Sequence, residues 1–379
     1  MSNLVLESLE IKNFRAFQHL RIEKLGRVNL IVGKNNVGKT SVLEALWLYA
    51  EQGDVYRIFA LMQYRHEVAR PQNIHSRRGR MEAQQMGMTL RHLFHGRANP
   101  QDNLDAIEIG PLNTSSKALS ISLKWPVPIT HRLRATAIND YSDLSDEDLQ
   151  EINNVNDLVP YLHVEVYDTV FYNFPLDQNY SSPLMPQALQ RTKSVFVGAG
   201  GLSLNDIELF WDSVVLSEFE KDVLNSLKLI APEVEAINLV GNQEPNGVRI
   251  PQVRIVGVNE RISLGSMGEG MNRMLGIALA LVNAKDGMLL IDEVDTGLHY
   301  SVLPEMWKLI FEVAHRLNVQ VFATSHSWDC IQAFQEAAAE NKEAEGVLIR
   351  LEQRKDGIGA VTFDEQELAI VTREQIEVR

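Results

Sequence analysis

The sequence predicts an α/β fold: a mostly parallel sheet assembled from the two ends of the chain, with an antiparallel β subdomain and a helical lobe between them. Three observations point there. Short, mostly apolar runs at Arg27–Val32, Met288–Ile291 and Val319–Ala323 are separated by helical stretches, as in strands covered on both faces. The segments Ala118–Trp125, Arg132–Ile138 and Leu162–Val170 alternate apolar and polar residues, as antiparallel strands with one wet face do. Between Arg27 and Tyr49 a strand, a glycine loop (Gly33–Gly38) and a helix with Val42, Leu43, Leu46 and Tyr49 on one side follow in order.

In chain order, Leu4–Lys12 reads as a first strand. Residues 65–97 hold seven arginines and four histidines against Glu67 and Glu82 alone, a local basic excess. The acidic run Asp140–Glu151 reads as a solvated loop and short helix capped at Ser145. Thr192–Val197 is a strand stopped by Gly198–Gly201; Ser203–Leu229 is one or two helices; Ala236–Val240 and Val248–Val256 form a hairpin. A helix opens at Ser266, another spans Ser301–Arg316, and Leu348–Leu351 closes with Ala360–Phe363 as a hairpin. The expected division is an N-terminal lobe at 1–200 with an Arg/His-rich insertion at 51–103, a helical and hairpin arm at 201–260, and a C-terminal lobe at 261–379.

Fifty acidic and 36 basic residues give a formal charge of -14, the opposite of what a non-specific coat on nucleic acid carries. The single cysteine, Cys330, excludes an internal disulfide framework and fits a reducing compartment. The start, MSNLVLESLEIKNF, lacks the basic and apolar segments of a secretory leader. No apolar run nears the roughly 20 residues of a membrane span. The expectation is a cytoplasmic protein without a membrane partner.

Gly33-Lys34-Asn35-Asn36-Val37-Gly38-Lys39-Thr40, followed by Ser41, fits G-x-x-x-x-G-K-[ST] between a strand and a helix, the setting the pattern requires. Glycines let successive N–H groups curl around phosphate oxygens, and the helix N-terminus adds its dipole. Lys39 places a charge on the β/γ-phosphates and Thr40 can ligate Mg²⁺. Asp292 and Glu293 follow an apolar strand; there the first can hold the metal and the second can polarise an attacking water. Ser266 and Glu269 make an S-x-x-E capping box, which by itself accounts for a helix start. Gly265, Gly268 and Gly270 are more than a cap needs and make a second approachable anion site. That suggests a dimer in which each site is completed by the other copy. His326, after the last apolar strand, can reach a γ-phosphate as a donor, or be structural; a turn or inter-subunit contact explains His299 as well as chemistry does.

Taken in order, GKNNVGKT, LGSMGEG, LLIDEVDTGLH and ATSH, opened by Leu9-Glu10-Ile11-Lys12-Asn13-Phe14-Arg15-Ala16-Phe17, resemble the ABC-type ATPases of the SMC/RecF/OLD group. The similarity is strongest to the compact members grouped with OLD nucleases in prokaryotic defence loci. The resemblance implies a P-loop NTPase of the ABC/SMC-head type that binds ATP and Mg²⁺. It makes Lys39 and Thr40 part of Walker A and Asp292 and Glu293 Walker B. Ser266, Gly268 and Glu269 become the signature that closes on the opposite protomer's γ-phosphate. Asp295 becomes the D-loop acid, His326 the switch histidine, and Arg15 a neighbour of the nucleotide. The Q-loop glutamine stays open between Gln84, Gln85 and Gln101.

Two departures from the family pattern matter. No sustained heptads link the halves, so no SMC-type coiled coil is expected. OLD nucleases carry a TOPRIM domain after the switch histidine; residues 327–379 are too few for one and contain no D-x-D. The expected function is therefore an ATP-hydrolysing dimeric switch, or higher assembly of dimers, acting in anti-phage defence through a separate effector such as a TOPRIM-like or other nuclease. Two rivals stay in view. One is a RecF-like repair ATPase that binds DNA through residues 65–97, whose bland reading is ion pairing with the chain's own carboxylates. The other is an ATP-bound scaffold with little turnover that assembles a partner nuclease.

Overall fold

The computed structural model describes residues 4–67, 77–98, 104–128, 158–168, 170–176, 191–241, 247–341, 345–355, 357–364, 367–368 and 370. The expected strand at 132–138, the acidic run at 140–151 and Gln101 lie outside them. Strands β1 (Leu9–Phe14) and β2 (Phe17–Ile22) lead into β3 (Val28–Val32), the glycine loop and α1 (Lys39–Ala50). After α2 (Val55–Tyr64) and α3 (Arg77–Leu90) come β4 (Ile107–Gly110), β5 (Leu119–Pro128), β6 (Leu158–Val166) and β7 (Val170–Pro175). Next are β8 (Ser194–Val197), α4 (Leu204–Val214), α5 (Glu220–Lys228), β9 (Val234–Val240), β10 (Ile250–Ile255) and β11 (Ile262–Ser263). Then follow α6 (Glu269–Asn283), β12 (Met288–Ile291), α7 (Leu303–Arg316), β13 (Gln320–Thr324), α8 (Trp328–Glu340), β14 (Gly346–Arg354) and β15 (Gly357–Phe363).

The main sheet runs β15-β14-β3-β13-β12-β8. Every neighbouring pair from β14 to β8 is parallel, and β15 is antiparallel to β14. Strands from both ends of the chain interleave in it. β3 and β12 are buried at every residue, as is β13, because helices or a second sheet cover both faces. Side chains alternate between two cores, as the strand period of two demands. Leu289, Ile291, Val321 and Ala323 face a core shared with α4 to α8. Met288, Leu290 and Phe322 face one shared with α1, α2 and the second sheet. That second sheet, β2-β1-β4-β5-β6-β7, is antiparallel throughout and forms the expected β subdomain. β9, β10 and β11 make a small third sheet.

Three details differ from expectation. The first strand starts at Leu9, not Leu4, and turns straight into β2, whose burial follows no strict alternation. The closing hairpin is no appendage, since β14 pairs with β3 from Gly346 to Arg350. The helix expected from Ser266 begins at Glu269. Ser266 sits in a 3₁₀ turn, Leu264–Met267, and Gly268 breaks the path at φ 104°, so no capping box forms. With glycines at 265, 268 and 270, the chain has little propensity to start the helix earlier.

Candidate active site

In this sheet β13 lies between β3 and β12, so the glycine loop and the acid pair leave the same end two strand spacings apart, roughly 10 Å. α1 crosses back over β13, β12 and β8, which carries Thr40 toward Asp292. Its N-cap, Gly38, offers no side-chain acceptor, so the first N–H groups of α1 point uncapped into the loop. The Lys39 ammonium is held by the carbonyl oxygens of Gly33 at 2.8 Å and Lys34 at 3.0 Å. Burial lowers its pKa, and the charges of Glu293 and Asp292 oppose that shift. Lys34, Asn35 and Asn36 are exposed, whereas Val37 and Ser41 are buried.

Thr40 Oγ1 donates within 3.1 Å of Oδ1 and 3.0 Å of Oδ2 of buried Asp292. Thr324, at the end of the intervening strand, donates to Asp292 Oδ1 at 2.6 Å and accepts from the Glu293 N–H at 2.8 Å. One threonine thus fixes both acids. Mg²⁺ takes oxygen ligands and commonly only one or two from protein, the rest being phosphate and water. Thr40 and Asp292 supply such a pair. No group of three or more His, Cys, Asp or Glu able to hold a metal exists among the described residues. Glu293 is half-buried, takes a 3.3 Å hydrogen bond from Thr296, and has φ 47°.

The structure brings Lys39, Thr40, Asp292 and Glu293 together. No hydrogen bond or ion pair among the described residues joins Ser266, Gly268 or Glu269 to residues 33–41; all three are exposed. His326 is also exposed, just past β13. Asp295 is half-buried, with one carboxylate oxygen buried and unbonded. Arg15 is committed elsewhere: its guanidinium meets Glu44 at 2.7 Å and Glu67 at 2.9 Å. Glu44 stands one turn beyond Thr40 on α1. Of the glutamines, Gln85 is exposed on α3 and the Gln84 side chain lies outside the described residues.

Three residues escaped the sequence reading as site residues, Thr324, Arg273 and Tyr64, and Arg65 entered it only as the first residue of the basic segment 65–97. Thr324 stood inside the quoted ATSH segment, where the histidine drew attention instead. Tyr64 and Arg65, at the end of α2, feel the Asp292 charge. Burial raises the Tyr64 pKa and Asp292 adds to it; burial opposes the Arg65 charge but Glu44, Glu67 and Asp292 outweigh it. Beside the loop lies a cavity of about 310 Å³ lined by Lys34, Val37 and residues 350–353. That volume falls in the range of small-molecule sites.

Comparison with known proteins places this geometry. The model of the AAA ATPase domain matches residues 5–181 and 205–331. A Helicobacter pylori protein named ATP/GTP phosphatase is 21% identical over 358 residues, covering 89% of each chain. The DNA replication and repair protein RecF of Clostridioides difficile is 46% identical over 43 residues, 11% of this chain and 12% of its own. Among solved structures, the SMC head bound to the C-winged helix domain of ScpA overlaps at TM-score 0.48 and 12% identity, covering 95% of this chain and 97% of that one. The SMC head domain from Thermotoga maritima gives 0.44 and 12%, over 95% and 100%. The family match spans the whole second sheet, β3, β12 and β13 of the main sheet, and all of the loop and acid pair, so the chain belongs to the AAA ATPase domain family and is an ATP-binding, ATP-hydrolysing P-loop enzyme.

Proposed function

We propose that the protein is a Mg²⁺-dependent ATPase switch that works as a head-to-tail homodimer, or an assembly of such dimers, with ATP between the copies. The observation that carries this is the Thr40–Asp292–Thr324–Glu293 constellation set directly against an uncapped helix N-terminus. In this reading the N–H groups of residues 33–41 cradle the triphosphate. Lys39 exchanges its two carbonyl partners for β/γ-phosphate oxygens, and the adjacent 310 Å³ cavity takes the nucleoside. Thr40 and Asp292 hold the metal, which supplies charge neutralisation on the phosphates. Glu293 takes the proton of the attacking water, and His326 donates to the γ-phosphate.

Ser266, Gly268 and Glu269 complete the opposite copy's site, with Asp295 beside them. Their exposure supports this: three small or polar residues stand exposed at the entry of the helix, with no side-chain hydrogen bond or ion pair to them among the described residues. ATP then favours the closed dimer and hydrolysis releases it. The similarity to defence-locus ATPases supports action in the cytoplasm through a separate effector, a nuclease of TOPRIM or other type. The name of the Helicobacter pylori relative supports turnover of free nucleotide rather than inert scaffolding. DNA repair is the second reading, favoured by the segment shared with RecF. Against its proposed footprint, Arg65 is engaged by Glu44 at 2.7 Å.

Size measurement with and without Mg-ATP, alongside turnover, tests the switch. Glu293→Gln should lower kcat by about 100-fold or more, the contribution of a positioned base, and should trap an ATP-dependent dimer. Unaltered turnover in that variant removes Glu293 as the base. A monomer at every nucleotide concentration removes the shared site.

A further inference from the structure

We propose that Arg273 is the positioning residue that ties Glu293 to the helix entered through Ser266, so that closure of a partner on that end of the helix sets the aim of the base. The proposal rests on the roles assigned above to Glu293 and Ser266.

Arg273 lies in the second turn of α6 and is 4% exposed. Its side chain reaches three backbone carbonyls and no carboxylate: Gly198 O at 2.8 Å, Asp292 O at 2.6 Å and Glu293 O at 2.7 Å. Those oxygens belong to two separate segments, the loop after β8 and the turn after β12. The guanidinium serves all three from two nitrogens held in one plane, whereas a lysine has its three donors on a single nitrogen and would have to draw the carbonyls to one point. Anchoring α6 alone would need no buried charge, since its other buried residues are Met, Leu, Ile, Val, Ala and Gly. Burial works against that charge, lowering its pKa, and Asp292, Asp295 and Glu293 work to keep it.

Glu293 shows what the contact accomplishes. Its φ of 47° lies in the left-handed region, which an L side chain occupies only when held there. Its N–H is fixed by Thr324 and its carbonyl by Arg273, so both ends of the strained residue are pinned. A second contact couples the same two segments. A Cβ on Gly270, in the first turn of α6, would stand 2.9 Å from the Gly297 carbonyl oxygen, and one on Gly297 would stand 3.0 Å from Glu269 Cγ. The entry of α6 and the turn after the acid pair therefore touch with no room between them. A shift of that helix end, which in the dimer presses on the partner's nucleotide, moves the backbone of Glu293 with it.

Arg273→Lys and Arg273→Met in the full chain test this. Thermal unfolding reads the fold, a fluorescent ATP analogue reads affinity, size measurement reads the ATP-dependent dimer, and steady-state kinetics read kcat and KM. In the folded Lys variant kcat should fall by about 10- to 100-fold, the scale of a reacting group misplaced by ~1 Å. KM and the ability of ATP to bring the copies together should stay as in the parent, and because hydrolysis is slower the closed dimer should persist longer. The Met variant should fall at least as far. In a Glu293→Gln background neither substitution should lower kcat further, because the loss acts through Glu293.

A folded Lys variant with kcat within about twofold of the parent overturns the proposal. So does a fall that persists undiminished in the Glu293→Gln background, or one matched by a rise in KM and loss of the dimer. Failure of the underlying reading is separately visible, as Glu293→Gln protein that still hydrolyses ATP with Arg273 intact.

Discussion

Glu44 has no solvent contact, and two arginines converge on its carboxylate at 2.7 Å each, Arg15 from the turn after β1 and Arg65 from the end of α2. Burial raises its pKa and the two guanidinium groups pull the other way. Removing one partner of such a cluster is far costlier than never having had it, because the remaining charge stays buried and uncompensated. Glu44→Ala should therefore lose about 3–5 kcal/mol of stability, read as a lower denaturant midpoint with the slope unchanged. The same cluster ties Arg15, which the resemblance makes a neighbour of the nucleotide, to two carboxylates that the residues around it do not announce. Its partners, Glu44 and Glu67, stand 29 and 52 positions away, and nothing in Asn13-Phe14-Arg15-Ala16-Phe17 reveals them. Thr324 and Arg273 were hidden for the same reason. Each acts on the Asp292–Glu293 turn brought near by the fold, Thr324 through a carboxylate oxygen and an N–H and Arg273 through carbonyls, and a threonine or arginine carries no local mark of such a role.

At the scale of elements, the glycine loop is compressed from two sides. A Cβ on Gly33 would stand 2.5 Å from the Leu351 carbonyl of β14, and one on Gly38 would stand 2.7 Å from the Phe17 ring at the start of β2. Phe17 is buried and its ring has no room to yield. Gly38 also has φ 90°, so any side chain there is strained twice. Gly38→Ala should cost about 1–3 kcal/mol from backbone strain alone. It should also weaken ATP binding, because the first turn of α1 must shift; calorimetry of unfolding and an ATP titration check the two effects separately. These contacts show which elements could be read in advance. The strand, loop and helix from Val28 to Ala50 are contiguous, and each is specified by its own residues. So were the central strands, since full burial leaves them mostly apolar, with Asn29, Gln320 and Thr324 the buried polar exceptions. β2 was missed because its buried positions, Phe17, Leu20 and Ile22, are spaced irregularly. The helix start at Ser266 was misplaced because a four-residue capping pattern outweighed three glycines that disfavour helix.

At the scale of the molecule, a fully buried parallel core carries the glycine loop and the acid pair on one end, and no hydrogen bond or ion pair among the described residues joins the exposed serine turn to them. The proposed two-fold dimer would give that turn a site to complete, since in such an interface what each copy gives it also receives. The consequence can be tested without knowing the effector. Lys39→Ala removes the phosphate charge from a protomer's own loop, and Ser266→Arg fills the turn that would serve the other copy, so each variant alone should be inactive. Mixed, they can form a heterodimer in which the intact loop of one faces the intact serine turn of the other. Random pairing makes half of all dimers mixed, and each mixed dimer has one good site of two, so recovery should approach about a quarter of the parent rate. Turnover measured against mixing ratio should peak at equal amounts and vanish at either end. Activity that stays flat at zero across the mixture, with both variants folded, means that the loop and the serine turn never meet across an interface. Full activity of Ser266→Arg on its own means that each copy hydrolyses ATP unaided.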